Sequence, residues 1–192
     1  KELLKGAEFL LVHCGRMSPE KQPERSVQAL AELIKRGVNA RLIIVGGGPL
    51  WNKVRKQSTG LPVDMVGYIA SRQKVADYLA AADLAIAPGP LETFCLSALE
   101  SLASGTPVVA SKSSAVGEIL NVNSIKAAGA VAADDGLSFA NEIIKLLNKG
   151  NLRKVARNQA EQYSWANTID AMLDIHCAKQ PMVTTKRRLK AA

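Results

Sequence analysis

The chain is poor in aromatic residues: Phe, Tyr and Trp together make up 4% of its 192 residues. A core must then be filled by Leu, Ile, Val and Ala, which suits parallel strands covered by helices better than a β-sandwich. Cysteine is scarce too. Cys14, Cys95 and Cys177 are scattered, with no CxxC and no Cys/His pair at ligand spacing, which argues against structural zinc. An odd, small count points to a reducing compartment, so a cytoplasmic setting is expected. No run of 18 apolar residues occurs, so no membrane span is expected. The opening Lys-Glu-Leu-Leu-Lys-Gly has no apolar stretch after a basic start, unlike a signal peptide. An initiating Met is also lacking, a hint of a piece of something longer.

What is present is ordinary for a folded domain. Apolar residues are 47% and charged residues 22%, which excludes a disordered chain. The length fits one domain with a real core. The formal net charge is +8, and Lys179, Lys186, Arg187, Arg188 and Lys190 carry five of those charges in an acid-free end, leaving +3 on the body. Residues 179–192 read as a solvated, disordered basic tail, with a peripheral membrane contact as the alternative and nucleic acid set aside.

Short apolar runs alternate with amphipathic stretches. Strands are expected at Phe9–Val12, Arg41–Val45, Val63–Val66, Asp83–Ala87 and Pro107–Ala110, with a weak sixth at Ala130–Ala132. Between them, Pro23–Arg36 has Val27, Leu30, Ala31 and Ile34 at helical spacing, a Pro-Glu start and a Gly37 stop. Further helices are expected for about ten residues after Pro49, from Ser71 as N-cap to Ala81, from Glu92 to Ser104, and near Val116–Leu120. Three more follow at about 136–148, 151–162 and 165–177. This order predicts an α/β fold: a Rossmann-like parallel sheet of about six strands, right-handed crossovers and helices on both faces. Ligands of such sheets sit outside the carboxyl ends of the strands, so the loops after the first four strands are where chemistry belongs.

Three of those loops carry candidate residues. In Gly15-Arg16-Met17-Ser18-Pro19-Glu20-Lys21, two permanent cations five positions apart suit a diphosphate, although a solvated basic loop looks the same. Gly46-Gly47-Gly48-Pro49 allows close backbone approach at a helix start, but a plain turn would too, and neither a P-loop nor GxGxxG follows. The strongest signal is Glu92-Thr93-Phe94-Cys95-Leu96-Ser97-Ala98-Leu99-Glu100. Its two carboxylates are eight positions apart, roughly two helical turns, on a similar face. Glu92 could be only a partner of the helix dipole. Glu100, among Leu96, Leu99 and Leu102, is a carboxylate in apolar company and needs a partner; sugar hydroxyls qualify.

With the Ala-x-Gly-x-Pro-Val-Val that follows at Ala103–Val109, this element resembles the C-terminal, donor-binding domain of family 4 retaining glycosyltransferases, enzymes of the two-domain GT-B architecture. Gly15-Arg16 with Lys21, Val45–Pro49, Val66-Gly67-Tyr68, Ala82-Asp83-Leu84, Gly117-Glu118 and Tyr163-Ser164-Trp165 match in order, from about residue 7 to 176. The resemblance implies that Arg16 and Lys21 neutralise the donor diphosphate and that Glu92 contacts the transferred sugar. It further implies that Glu100 takes the ribose hydroxyls and that Tyr68 and Ile69 line the base. Gly15 and Gly46, Gly47 and Gly48 would pass close to the donor, and Thr93, Phe94, Cys95 and Leu96 would offer backbone amides to sugar and phosphate. No Asp-x-Asp occurs, so neither a metal nor any cofactor beyond the substrate nucleotide sugar is expected.

The wording of Leu11–Arg16 and Pro88–Phe94 is similar to that of mannosyltransferases of actinobacterial glycolipid synthesis, which implies GDP-mannose, with a UDP-sugar as runner-up and an acceptor at the cytoplasmic membrane face. Two departures stand out: Cys95 where the family has Gly, and Ser113-Ser114 where Gly-Gly is common. Cys95 has no His nearby in sequence, so it does not read as a nucleophile. His13 reads as a partly buried strand residue rather than a ligand contact. The expected organisation is a donor domain over residues 1–178, the tail at 179–192, and an acceptor domain lying outside this chain, without which no transfer is expected. A non-catalytic nucleotide-binding module and an unrelated flavodoxin-like or dehydrogenase domain are the other classes.

Overall fold

In a computed structural model, residues 2–178 are described. They fall in two compact units, divided between Glu161 and Gln162. The basic segment 179–192 lies outside the described residues.

The first unit is a six-stranded sheet in the order β3-β2-β1-β4-β5-β6, every recorded pairing parallel. Its strands are β1 (Phe9–Cys14), β2 (Ala40–Val45), β3 (Val63–Gly67), β4 (Leu84–Ala87), β5 (Val108–Ser111) and β6 (Gly129–Ala132). Seven helices connect or flank them: α1 (Pro23–Lys35), α2 (Trp51–Gln57), α3 (Arg72–Ala81), α4 (Leu96–Ala103), α5 (Val116–Ile119), α6 (Gly136–Asn148) and α7 (Arg153–Glu161). α1 packs on α2 and α6; α4 packs on α3 and α7. These are the two helical layers of a doubly wound sheet. The expected α/β, Rossmann-like fold is the one observed. β1 lies between β2 and β4, so the chain reverses its winding direction there and opens a crevice at the strand ends.

The core is aliphatic, as the composition required. Leu11, Leu42, Ile44, Val109, Leu30, Leu33 and Ile143 are fully buried around one aromatic ring, Phe139. Each such side chain contributes about 1.5–3 kcal/mol by leaving water.

Helix ends follow local chemistry. Gly37 takes φ +77, its amide donates to Ile34 and that of Val38 to Leu33, which closes α1 with a left-handed cap. Ser71 caps α3 by accepting from the Lys74 amide, and Asp135 caps α6 from Ser138. Arg153 donates to the carbonyls of Ala80 and Ala82 and so satisfies the end of α3.

Two expectations fail. α2 spans seven residues, not ten. More important, the helix after β4 starts at Leu96, not Glu92. Cys95 sits at φ 63, ψ 80, a left-handed conformation no right-handed helix can pass through. Residues 90–95 are therefore loop, and the carbonyl of Glu92 accepts from the Ala115 amide. Glu92 and Glu100 do not share a helix.

The second unit contains α8 (Trp165–Ala178), begun by Ser164, whose hydroxyl accepts from the Asn167 amide. Its Trp165, Ile169, Met172, Leu173 and Ile175 are exposed. No described helix is long and apolar enough to cross a membrane.

Candidate functional site: a cleft at the carboxyl ends of the strands

Two cavities that share lining residues lie at the carboxyl ends of the central strands β1 and β4. The larger, about 660 Å³, falls within the usual size for small-molecule sites. Gly15, Gly46, Tyr68, Ile69 and Glu100 line it, together with Arg72, Ser104 and Arg157. The smaller, about 10 Å³, is walled by His13, Lys21, Gly89, Glu92, Cys95 and Ser97. Cys14 and Gly15 belong to both, so the end of β1 is their common wall.

The glycine run has a mechanical reason. At Gly46 (φ +135) a Cβ would lie 1.9 Å from the Gly15 carbonyl oxygen, and at Gly48 (φ +153) 2.5 Å from that of Met17. No side chain fits either place. The two loops are stitched by Met17 N donating to Gly47 O and Leu50 N donating to Met17 O. Gly46 borders the cleft; Gly47 and Gly48 serve the loop packing and line neither cavity.

Lys21 and Glu92 meet directly in an ion pair. Their loops are pressed together: a Cβ on Gly89 would come within 2.8 Å of the Glu20 carbonyl oxygen. Arg25, 8% exposed inside α1, fixes this arrangement from below. It donates to Pro88 O at 2.7 Å and to Asp134 at 3.1 Å, while Ser111 and Ser113 donate to the same carboxylate. Burial opposes ionisation of Asp134, but those hydroxyls and the Arg25 charge hold its pKa below the usual value.

Glu100 departs from expectation. It is exposed to the cleft rather than buried among leucines. Ala98 and Leu102 turn inward, while Leu96, 67% exposed, turns out. Ala103 and Ser104, three and four positions on, share the Glu100 face. Arg157 donates to Ala103 O at 2.6 Å and closes that end of the cleft. Arg16 is exposed beside Gly15, and Thr93, Phe94 and Leu96 are exposed without lining either cavity. At the start of α4, Ala98 and Leu99 donate to Cys95 O, so the amides of Leu96 and Ser97 are not used within the helix.

The titratable groups are pushed by burial. His13 is fully buried and its pKa falls to about 4, from desolvation and then the nearby Lys21 charge. Burial, then the Glu100 carboxylate, pushes Cys14 up to about 11, and burial raises Cys95 as well. Neither thiol is a nucleophile near neutral pH. Glu20 is held low by the Ser18 hydroxyl, with Arg16 and Lys21 adding to the effect. Among the described residues no group of three or more His, Cys, Asp or Glu could hold a metal ion.

Sequence reasoning passed over Arg25, Arg72, Arg157 and the His13–Ser26 pair. None carries a local pattern to mark it: the fold alone brings Arg72 and Arg157 to the large cleft and His13 to the small cavity, while Arg25 and Ser26 act from behind the wall.

Similarity to known proteins agrees with this geometry. Residues 1–163 match the family described as Glycosyl transferases group 1. The GDP-mannose-dependent alpha-(1-6)-phosphatidylinositol dimannoside mannosyltransferase of Mycobacterium tuberculosis is 46% identical over 168 residues, covering 86% of this chain and 43% of that protein. The D-inositol 3-phosphate glycosyltransferase of Mycolicibacterium smegmatis is 31% identical over 176 residues, covering 85% and 39%. Among solved structures, sucrose-phosphate synthase from Thermosynechococcus elongatus superposes with TM-score 0.74 at 25% identity, covering 92% of this chain and 47% of that one. Anabaena HepE in complex with UDP superposes with TM-score 0.73 at 23% identity, covering 90% and 49%. The chain thus spans less than half the length of the relatives it matches. On the match over residues 1–163, with the sheet order and the strand-end cleft behind it, this chain belongs to the group 1 glycosyl transferases.

Proposed function

We propose that residues 1–178 are the nucleotide-sugar-binding half of a retaining hexosyltransferase, with GDP-mannose as donor. The observation that carries the reading is that the large cleft and the small cavity beside Lys21 and Glu92 share a wall at Cys14 and Gly15. Tyr68 and Ile69 border the base end, with Glu100 at the ribose. Arg16 and Lys21 flank the diphosphate, and Glu92 reaches the hexose. The free amides of Leu96 and Ser97 add donors at a helix start, where negative charge is favoured. As the glycosidic bond breaks, charge grows on the departing phosphate; fixed cations and amides there lower the barrier. Lys21 is held by Glu92 in the ligand-free arrangement, so the diphosphate competes for it and releases Glu92 toward the sugar. GDP-mannose is favoured over a UDP-sugar by the 46% identity to a relative whose name specifies that donor. The acceptor, a glycolipid or glycan at the cytoplasmic membrane face, is held by a separate domain, and this chain alone does not transfer sugar.

Calorimetric titration with GDP and UDP tests this. GDP is expected to bind more tightly than UDP, without change in EDTA. The Arg16→Ala variant is expected to lose about tenfold or more in GDP affinity, one charge-assisted contact. UDP binding as tight as GDP rejects the mannose donor. Absence of binding by either nucleotide rejects the site.

A further inference from the structure

The small cavity holds one buried polar atom with nothing to bond. His13 is 2% exposed, and its Nε2 has no hydrogen-bond partner among the described residues. The other ring nitrogen, Nδ1, lies 2.9 Å from Ser26 Oγ, and Ser26 is fully buried. Two proton arrangements are open. If Nδ1 carried the proton and donated, the Ser26 hydroxyl proton would have no acceptor and Nε2 no donor, leaving two buried groups unsatisfied. If Ser26 donates to Nδ1, the ring proton sits on Nε2 and only that N–H is unpaired. Buried unpaired groups are costly, so the second arrangement prevails and Nε2–H is a donor in search of an acceptor. The ring is neutral near pH 7, so it offers this one donor and no charge of its own.

The space it faces has room for about one oxygen atom. Lys21 stands at the same wall. Beside that ammonium a charged phosphate oxygen gains from both the Nε2–H and the positive charge, whereas a neutral sugar hydroxyl gains from the hydrogen bond alone. The small cavity shares Cys14 and Gly15 with the cleft and adds Lys21 and Glu92, the residues assigned above to the diphosphate and the hexose. We propose that His13 is a donor-binding residue whose Nε2–H receives an oxygen of the distal phosphate of a nucleoside diphosphate, between Lys21 and Glu92. This rests on the nucleotide-sugar reading of the cleft.

The test compares GDP with GMP, which lacks the distal phosphate, by calorimetry and by nitrogen-15 NMR of the imidazoles. In the wild-type chain GDP is expected to move the His13 Nε2 resonance and slow exchange of its proton, and GMP is not. His13→Phe is expected to weaken GDP by roughly tenfold while GMP changes by less than about twofold. His13→Gln, whose amide reaches toward the Nε2 position, is expected to retain most of the GDP affinity. An Nε2 signal unmoved at GDP saturation overturns the proposal, as does equal loss of GDP and GMP in His13→Phe. If that variant does not fold, the wild-type resonance decides. Failure of the wild-type chain to bind either nucleotide overturns the nucleotide-sugar reading and this inference with it; GDP binding that leaves His13 silent overturns this inference alone.

Discussion

Lys21 and Glu92, separated by 71 positions in sequence, form an ion pair across the junction of the β1–α1 and β4–α4 loops. The pair occupies the ammonium that a diphosphate would use, and it aims the carboxylate at the small cavity.

Removing the charge of Glu92 should therefore favour the bare nucleotide. In Glu92→Gln, GDP affinity is expected to rise by about threefold, the size of a part-exposed ion pair released. The same change is expected to erase any advantage of GDP-mannose over GDP. Calorimetry with both ligands checks this; weaker GDP binding in the variant would show that the pair does not compete with the ligand.

The buried imidazole makes stability depend on pH. The folded pKa of His13, about 4, lies below its unfolded value of 6.5. Between those values the unfolded chain binds a proton that the folded chain does not, so stability rises with pH across this window and is lost as pH falls through it. At about pH 5 the loss attributable to His13 is about 2 kcal/mol relative to neutral pH. Urea midpoints at about pH 7.5 and pH 5 should fall further apart for the wild type than for His13→Phe. Equal spacing would mean the imidazole is solvated in the native state.

Cys95, in the wall of the small cavity, and Gln22, next to Lys21 in sequence, pay a backbone penalty. Cys95 has φ 63 and Gln22, before α1, has φ 45. Left-handed backbone costs a β-carbon residue about 1–2 kcal/mol, part of which Gly returns as unfolded-state entropy. Cys95→Gly is expected to be about 1 kcal/mol more stable than Cys95→Ala, and Gln22→Gly about 0.5–1 kcal/mol more stable than the wild type. Chemical denaturation decides; an alanine variant as stable as the glycine variant would show that position 95 relaxes out of the left-handed region.

Thiol reactivity should single out one position. Cys177 is exposed, whereas burial raises the pKa of both Cys14 and Cys95. Brief alkylation at about pH 8 should add one group, at Cys177, by intact and peptide mass spectrometry. Fast labelling of Cys14 would mean that the β1 end opens.

The alternation of short apolar runs with amphipathic stretches makes the sheet readable, because strand and helix periods depend on neighbours in sequence. α1 ends at Lys35 before Gly37, and Ser71 caps α3, where local chemistry says they should. The start of α4 was not readable. Glu-Thr-Phe-Cys carries no glycine or proline to announce a left-handed turn, so the sequence pattern places the helix start four residues early. The surroundings of Glu100 differ from the sequence reading for a related reason. Leu99 and Leu102, one and two positions away, project from other faces of the helix, and Leu96, which shares the Glu100 face, is itself exposed. His13 reads as a partly buried strand residue and is in β1, buried more fully than that; whether its Nε2 finds a partner depends on α1 and the β4–α4 loop, both distant along the chain.

Arg25 joins Pro88, at the end of β4, to Asp134, in the turn after β6, through one guanidinium. Lesions in residues 133–135 should therefore behave genetically as defects of the cleft, although Asp134 lines neither cavity. Suppressors of an Asp134 variant are expected at residues 88–92, and a mutant library restricted to cleft-lining positions would sample only half of that partnership.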